Sequence, residues 1–171
     1  MPVYSPDEPG YWDRFPPDLK DMKAVVDAQG VRVSFHVLGD ATDDAAPTAM
    51  MFHMPPGYEL PRHGHPCQRL EVVIDGTLQV GDRVLGPGTV LASDDSTPYG
   101  PHYAGANGCV TMEIFSSRVG AHSLMVFGPD GATQTVDLAG PDGVAMAAAL
   151  TGAPSQSESA QEPVRSSQSD A

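Results

Sequence analysis

Two histidines separated by one residue form the densest group of reactive side chains in the sequence. His63 and His65 follow a bend marked by glycine and proline, within residues 57–65. In an extended segment, residues i and i+2 project to the same face, so both imidazoles could bind one metal ion. Imidazole is a common ligand of zinc, iron, copper and nickel in proteins. The spacing predicts a metal site, and an exposed pair of loop histidines is the alternative.

Composition and charge narrow the classes of partner. The chain has 171 residues, enough for one domain with a core, and a formal net charge of −13. This charge repels phosphate backbones and anionic membrane surfaces, so we expect neither nucleic acid nor membrane as a partner. No apolar run approaches the roughly 20 residues of a membrane helix, and no secretory signal is recognised. The two cysteines, Cys67 and Cys109, exclude a disulfide framework and favour a cytoplasmic location.

The central part of the chain, residues 23–140, alternates short apolar runs with turn residues. The predicted strands are residues 31–38, 49–54, 70–74, 77–80, 83–85, 89–92, 108–115, 122–127 and 133–138. Turn pairs that contain glycine, including residues 75–76 and 107–108, separate the runs. Many short strands at this spacing predict an all-β fold, a sandwich or a single antiparallel β-barrel.

The two ends of the chain differ from this central domain. Residues 1–22 are predicted to form an N-terminal arm that packs on the body through Tyr11, Trp12 and Phe15. Residues 141–150 are predicted to be a short helical segment. Residues 151–171 contain six serines and no aromatic residue. Such a composition buries too little apolar area to offset the entropy of ordering, so we predict a disordered tail.

The order of the motifs resembles the cupin superfamily. The first cupin motif runs from a glycine through His-x-His to a glutamate and a strand ending in glycine, and residues 57–76 follow that order. The second motif contains Pro-Gly and a later histidine, and residues 86–102 match it in part. The resemblance covers about residues 45–127. It implies a small antiparallel β-barrel of the cupin or jelly-roll type, with a metal ion inside one mouth.

Two of the four usual cupin ligand positions hold other residues. The usual glutamate position falls on Arg69, and the usual histidine position falls on Tyr99. Glu71 shares a strand face with Arg69, and His102 follows Tyr99 by three residues. A partial site or an empty site is the alternative to shifted ligation. The metal ligands predicted from the resemblance are His63, His65, Glu71 and His102.

Three residues are predicted to take part in catalysis: Glu71, Tyr99 and Arg69. Arg69 could bind an anionic or carbonyl-bearing substrate while Glu71 serves as ligand or general base. An ion pair between the two is the alternative. Tyr99 could ligate a metal, donate a proton or pack, and we favour a hydroxyl that lines the pocket. For His102 the alternative to ligation is a surface position.

The resemblance and the donor set together predict a metal-dependent cupin enzyme that acts on a small oxygenated organic substrate. Two histidines and a carboxylate suit Fe(II) and dioxygenase-like chemistry, and manganese, nickel or zinc would accept the same donors. One alternative is a redox-neutral, metal-dependent isomerase, lyase or cyclase. Another is a non-catalytic cupin that binds a small ligand. We expect a homodimer, by resemblance and because small β-barrels present sheet edges and apolar patches.

Overall fold

The structure, a computed structural model, describes residues 2–127 and 132–151. Its strands form two antiparallel sheets. The strands of the larger sheet are β1 (Arg32–Val37), β2 (Thr48–Met54), β3 (Glu59–Leu60), β5 (Arg69–Val80), β6 (Arg83–Leu85), β7 (Val90–Ser93) and β8 (His102–Phe115). The strands of the smaller sheet are β4 (His63–Gly64), β9 (Ser123–Phe127) and β10 (Thr133–Asp137).

The strand pairing confirms the predicted all-β, antiparallel fold class. The larger sheet has the order β1-β2-β8-β5-β6, with β3 on β8 and β7 on β5, and the smaller has the order β10-β9-β4. Among the residues described, no strand ladder joins the two sheets. The sheets therefore form a jelly-roll type of sandwich rather than a barrel closed by hydrogen bonds.

The two longest strands, β5 and β8, form the centre of the larger sheet and run through two predicted turns. Residues 75–76 and 107–108 were predicted to end strands, but β5 and β8 continue past them with register shifts. Gly76 and Gly108 have φ angles of 70° and 81°, which favour glycine. A Cβ on Gly76 would lie 2.2 Å from the carbonyl oxygen of Gly108. The glycines thus permit bulges in paired strands where the sequence pattern predicted turns.

The inner face of the larger sheet carries an unusual number of charged side chains. Residues alternate between the faces of a strand, and on β5 Arg69, Glu71 and Val73 are buried. On β8 the same alternation buries Glu113 and Phe115. Buried charges need partners, so this face must contain an ion-pair network.

The N-terminal segment passes from one side of the larger sheet to the other. Tyr11 packs on His36 with ring centroids 5.5 Å apart, and Trp12 packs on His53 at 6.0 Å. Further along the arm, Phe15 packs on Phe35, which lies on the opposite face of β1. The two ring centroids are 5.6 Å apart. Tyr11, Trp12 and Phe15, the residues predicted to anchor the arm, therefore contact the body.

Three α-helices complete the described structure, α1 (Met22–Ala28), α2 (Arg118–His122) and α3 (Gly143–Thr151), together with two short 3-10 helices in the arm, Tyr11–Asp13 and Pro17–Leu19. The hydroxyl of Ser117 accepts from the N–H of Gly120 and caps α2. Because α2 extends to His122, β9 begins at Ser123, one residue later than predicted. Residue 151, the first of the predicted tail, ends α3, and residues 152–171 lie outside the described residues. In the described part, no helix has the length and apolar character to cross a membrane.

Candidate functional site

A cavity of about 150 Å³ lies against the inner face of the larger sheet. Its walls come mainly from apolar side chains of the arm, α1, β1 and β2, and α3 and β9 add one residue each. Its polar residues form two groups. His63, His65 and Glu113 form the first group, which we call the polar end, and Gln29 and Tyr58 form the second. The apolar walls include Phe15, Leu19, Met22, Val25, Phe35, Met50, Phe52, Leu124 and Ala147.

His63 is positioned by β4 and by the segment that contains Tyr99. The backbone N–H of His63 donates to the carbonyl of Tyr99 at 3.0 Å, and the Tyr99 N–H donates back at 2.8 Å. The side-chain Nδ1 of His63 donates to the carbonyl of Pro61 at 2.7 Å. Its Nε2 is therefore the acceptor, and it receives the Tyr99 hydroxyl at 2.9 Å. Burial, and then the neighbouring His65, lower the pKa of His63 to about 3.

His65 is buried and is held in place by α2. Its Nδ1 donates to the carbonyl of Gly120 at 2.9 Å, and its ring lies 4.7 Å from the ring of Phe115. Burial lowers the pKa of His65 to about 4, although nearby backbone carbonyls act in the opposite direction. The centroids of the His63 and His65 rings are 5.4 Å apart, at an angle of 77°. The predicted pair therefore does converge in the interior.

Arg69 forms the centre of a buried ion-pair network. Its Nη2 donates to Oε2 of Glu71 at 2.6 Å, and its Nε donates to Oε2 of Glu113. All three side chains are at most 4% exposed. Burial opposes the charge of Arg69, but Glu113, Tyr99 and Glu71 outweigh it and raise the pKa of Arg69. Burial and the nearby Glu113 together raise the pKa of Glu71 well above its usual range.

Tyr99 links the histidine pair to this network. The guanidinium carbon of Arg69 lies 4.2 Å from the centroid of the Tyr99 ring, a cation–π contact. Burial raises the pKa of the Tyr99 phenol, so its hydroxyl stays protonated and donates to His63. The four positions of the cupin motif, 63, 65, 69 and 99, thus meet around one tyrosine ring.

His102 is buried in β8 and is not the surface residue of the alternative prediction. It is 2% exposed. Its Nδ1 lies 3.8 Å from Oε2 of Glu71, beyond hydrogen-bond distance, and has no hydrogen-bond partner among the described residues. Burial, and then the charge of Arg69, lower the pKa of His102 to about 4.

The four predicted metal donors are not gathered into one group in the described part of the structure. The described residues contain no group of three or more histidine, cysteine, aspartate or glutamate side chains that could hold a metal ion. Both histidines of the pair donate through Nδ1 to carbonyls, as metal-ligating histidines do. However, Glu71 is bound to a guanidinium, and Nε2 of His63 already accepts from Tyr99. Metal ligation by His63, His65, Glu71 and His102 remains a prediction from sequence.

Glu113 belongs to the site although sequence reasoning did not single it out. It is a buried partner of Arg69 and also lines the cavity. One signal could have found it: Glu113 is the only charged residue in the otherwise apolar and small-residue stretch 108–115. In such a strand a carboxylate on the inner face needs a buried partner.

Solved structures provide fold relatives for this chain. An acetylacetone dioxygenase from Acinetobacter johnsonii is 11% identical, with a TM-score of 0.51 over 88% of this chain and 93% of that protein. An RmlC-like cupin from Ralstonia eutropha is 20% identical, with a TM-score of 0.44 over 61% of this chain and 66% of that protein. A chain in a complex of SigE with the anti-sigma ChrR from Rhodobacter sphaeroides is 22% identical, with a TM-score of 0.42 over 50% of this chain and 44% of that chain.

These similarities concern the fold. The chain spans less than two thirds of the length of the Ralstonia protein and of the chain in the ChrR complex. No curated protein matches the sequence. The model of the ChrR cupin-like domain matches residues 18–117, which include β1 to β8 and all four motif positions. The protein therefore belongs to the ChrR cupin-like family of the cupin superfamily.

Proposed function

We propose that this cupin binds a small, largely apolar organic molecule in the cavity, with the polar group of the molecule at the polar end. The observation that carries the proposal is the cavity itself, which is lined by apolar side chains and ends at His63, His65 and Glu113. Ligand sites are typically apolar, with a few polar groups that fix orientation. An apolar cavity of about 150 Å³ is large enough for a molecule the size of benzene.

The charge network supports an organic ligand rather than a resident metal ion. Arg69 supplies a fixed cation between Glu71 and Glu113, so the two buried carboxylates already have a positive partner. A divalent ion bound by His63 and His65 would lie close to this guanidinium, and two cations repel strongly in a buried site. The arrangement therefore gives both carboxylates a positive partner without a metal.

The predicted metal-dependent enzyme, dioxygenase-like or redox-neutral, is the second candidate. One observation favours it: Nδ1 of both His63 and His65 donates to a carbonyl, the arrangement that metal-ligating histidines show. The acetylacetone dioxygenase with the same fold is named after a small oxygenated compound. A substrate of that class is predicted from the sequence. About one equivalent of iron, manganese, nickel or zinc per chain, lost in His63→Ala, would support this candidate and contradict the first.

Filling the cavity tests the proposed function. Leu124 lies on β9 and contributes to the cavity wall. We expect Leu124→Trp to weaken benzene binding roughly tenfold or more, because excess volume in a packed interior costs about 1–3 kcal/mol. Isothermal titration calorimetry on the full chain measures this affinity.

The matched control places the same side chain on the outside of the sheet. Val84 on β6 is exposed, so Val84→Trp should bind benzene as the native chain does. Circular dichroism shows whether each variant is folded. Equal affinities for all three folded proteins, or no benzene binding by the native chain, would contradict the proposal.

A further inference from the structure

We propose that the cavity selects an uncharged hydroxyl compound about the size of a six-membered ring, such as a phenol or a cyclic alcohol. This inference rests on the proposed function and adds the chemical class of the ligand. It depends on the hydrogen-bond character of the polar end, where the side chains accept hydrogen bonds and their own donors are already used.

His65 offers an acceptor to the cavity. A carbonyl oxygen can only accept, so the hydrogen bond of 2.9 Å between Nδ1 of His65 and Gly120 places the proton on Nδ1. In the neutral ring, Nε2 then carries the lone pair. The ring N–H is used by the protein, and the nitrogen that remains can only accept a hydrogen bond.

His63 supplies no further donor at the polar end. Its Nδ1 donates to the carbonyl of Pro61 at 2.7 Å, and its Nε2 is occupied by the Tyr99 hydroxyl at 2.9 Å. Both ring nitrogens therefore have protein partners. His63 contributes a wall to the polar end and leaves recognition of the ligand to its two neighbours, His65 and Glu113.

Glu113 is the second acceptor of the polar end. It forms a buried ion pair with Arg69, and a carboxylate accepts through two oxygens and donates nothing. Arg69 binds Glu113 through Oε2, and Arg69 does not line the cavity. A hydroxyl that donates to a carboxylate forms a charge-assisted hydrogen bond, which is about twice as strong as a neutral one.

The remaining polar group of the cavity has an internal hydrogen bond. The Tyr58 hydroxyl donates to the side-chain oxygen of Gln29 at 2.8 Å, and the Gln29 amide donates to the carbonyl of Val25 at 3.0 Å. A ligand carbonyl or carboxylate needs a donor, and neither His63 nor His65 has one left. A carboxylate would also face the negative charge of Glu113. The chemistry of the lining therefore favours a neutral ligand that donates.

Three ligands that share one benzene ring distinguish these requirements: phenol, fluorobenzene and benzoate. Phenol and fluorobenzene have nearly the same shape, but only phenol donates a hydrogen bond. In a site without an acceptor, phenol should bind more weakly than fluorobenzene, because its hydroxyl would lose its bonds to water. With a carboxylate acceptor, we expect phenol to bind about tenfold tighter than fluorobenzene. Benzoate should bind at least about tenfold more weakly than phenol, because its charge would be buried beside Glu113.

Calorimetric titration of the full native chain near neutral pH gives all three affinities, with benzene as a fourth probe. Tighter binding of phenol, with fluorobenzene and benzene weaker and benzoate weakest, supports the inference. If fluorobenzene or benzene binds as tightly as phenol, or benzoate binds tightest, the inference fails while the proposed function stands. If none of the four binds, the proposed function fails as well. Because the native chain is used throughout, loss of folding does not obscure the result.

Discussion

Replacing Arg69 by alanine should lower the free energy of unfolding by about 3–5 kcal/mol at neutral pH, because removing one partner of a buried ion pair leaves uncompensated charge. The side chain of Arg69 is 1% exposed, and those of Glu71 and Glu113 are 0% and 4% exposed. Without the guanidinium, two carboxylates would face each other in a dry interior. Urea denaturation of the native chain and of the Arg69→Ala variant measures the difference in the free energy of unfolding.

Lys23 provides a matched control for this prediction. It also binds two carboxylates, those of Asp13 at 2.8 Å and Asp27 at 2.7 Å, but its side chain is 39% exposed. Exposed ion pairs contribute only about 0.2–1 kcal/mol, so Lys23→Ala should change stability little. Similar losses of unfolding free energy in Arg69→Ala and Lys23→Ala would show that burial does not set the energy of the Arg69 network. That result would contradict the account.

Restoring the usual cupin residues at two positions should create a metal site. The double variant Arg69→Glu with Tyr99→His would complete a set of three histidines and one glutamate at positions that already meet around the Tyr99 ring. We expect the native chain to retain no stoichiometric metal and the variant to bind about one equivalent of zinc, since this donor set suits a zinc site. Because the variant places three carboxylates in the interior, zinc should also raise its melting temperature.

The control for the double variant makes the same changes outside the site. Arg62 and Tyr103 are exposed, so Arg62→Glu with Tyr103→His alters charge and composition equally. Metal content after dialysis, and melting with and without chelator, compare the three proteins. Stoichiometric zinc in the native chain, or none in the site variant, would show that Arg69 and Tyr99 do not determine metal binding.

Part of this site could be predicted from sequence because the motif is local. The spacing of His63 and His65 predicted that both side chains project from one face of an extended segment. The structure brings both rings to one interior site. The ion pair of Glu71 with Arg69 was the alternative to ligation, and it is present at 2.6 Å. Strand alternation alone was sufficient to place these two side chains on the same face.

The rest of the site depends on contacts between distant segments. Glu113 reaches Arg69 only because β8 pairs with β5, a register that no local pattern specifies. The carbonyl that fixes the tautomer of His65 comes from Gly120 in α2, a helix that the sequence analysis did not predict. The turn predicted at residues 75–76 became a bulge because its strand partner continues beside it. Long-range pairing thus decided both the acceptors of the site and the length of its central strands.

The most direct test of the cavity as a ligand site uses the methionines of the chain as probes. Met22 and Met50 line the cavity, whereas Met112 and Met125 do not. In a spectrum of the protein with ¹³C-labelled methionine methyl groups, saturating benzene should shift Met22 and Met50 strongly and leave the other two near their original positions, because aromatic rings shift only nearby nuclei. Unchanged signals from Met22 and Met50, or shifts confined to Met112 and Met125, would contradict the account.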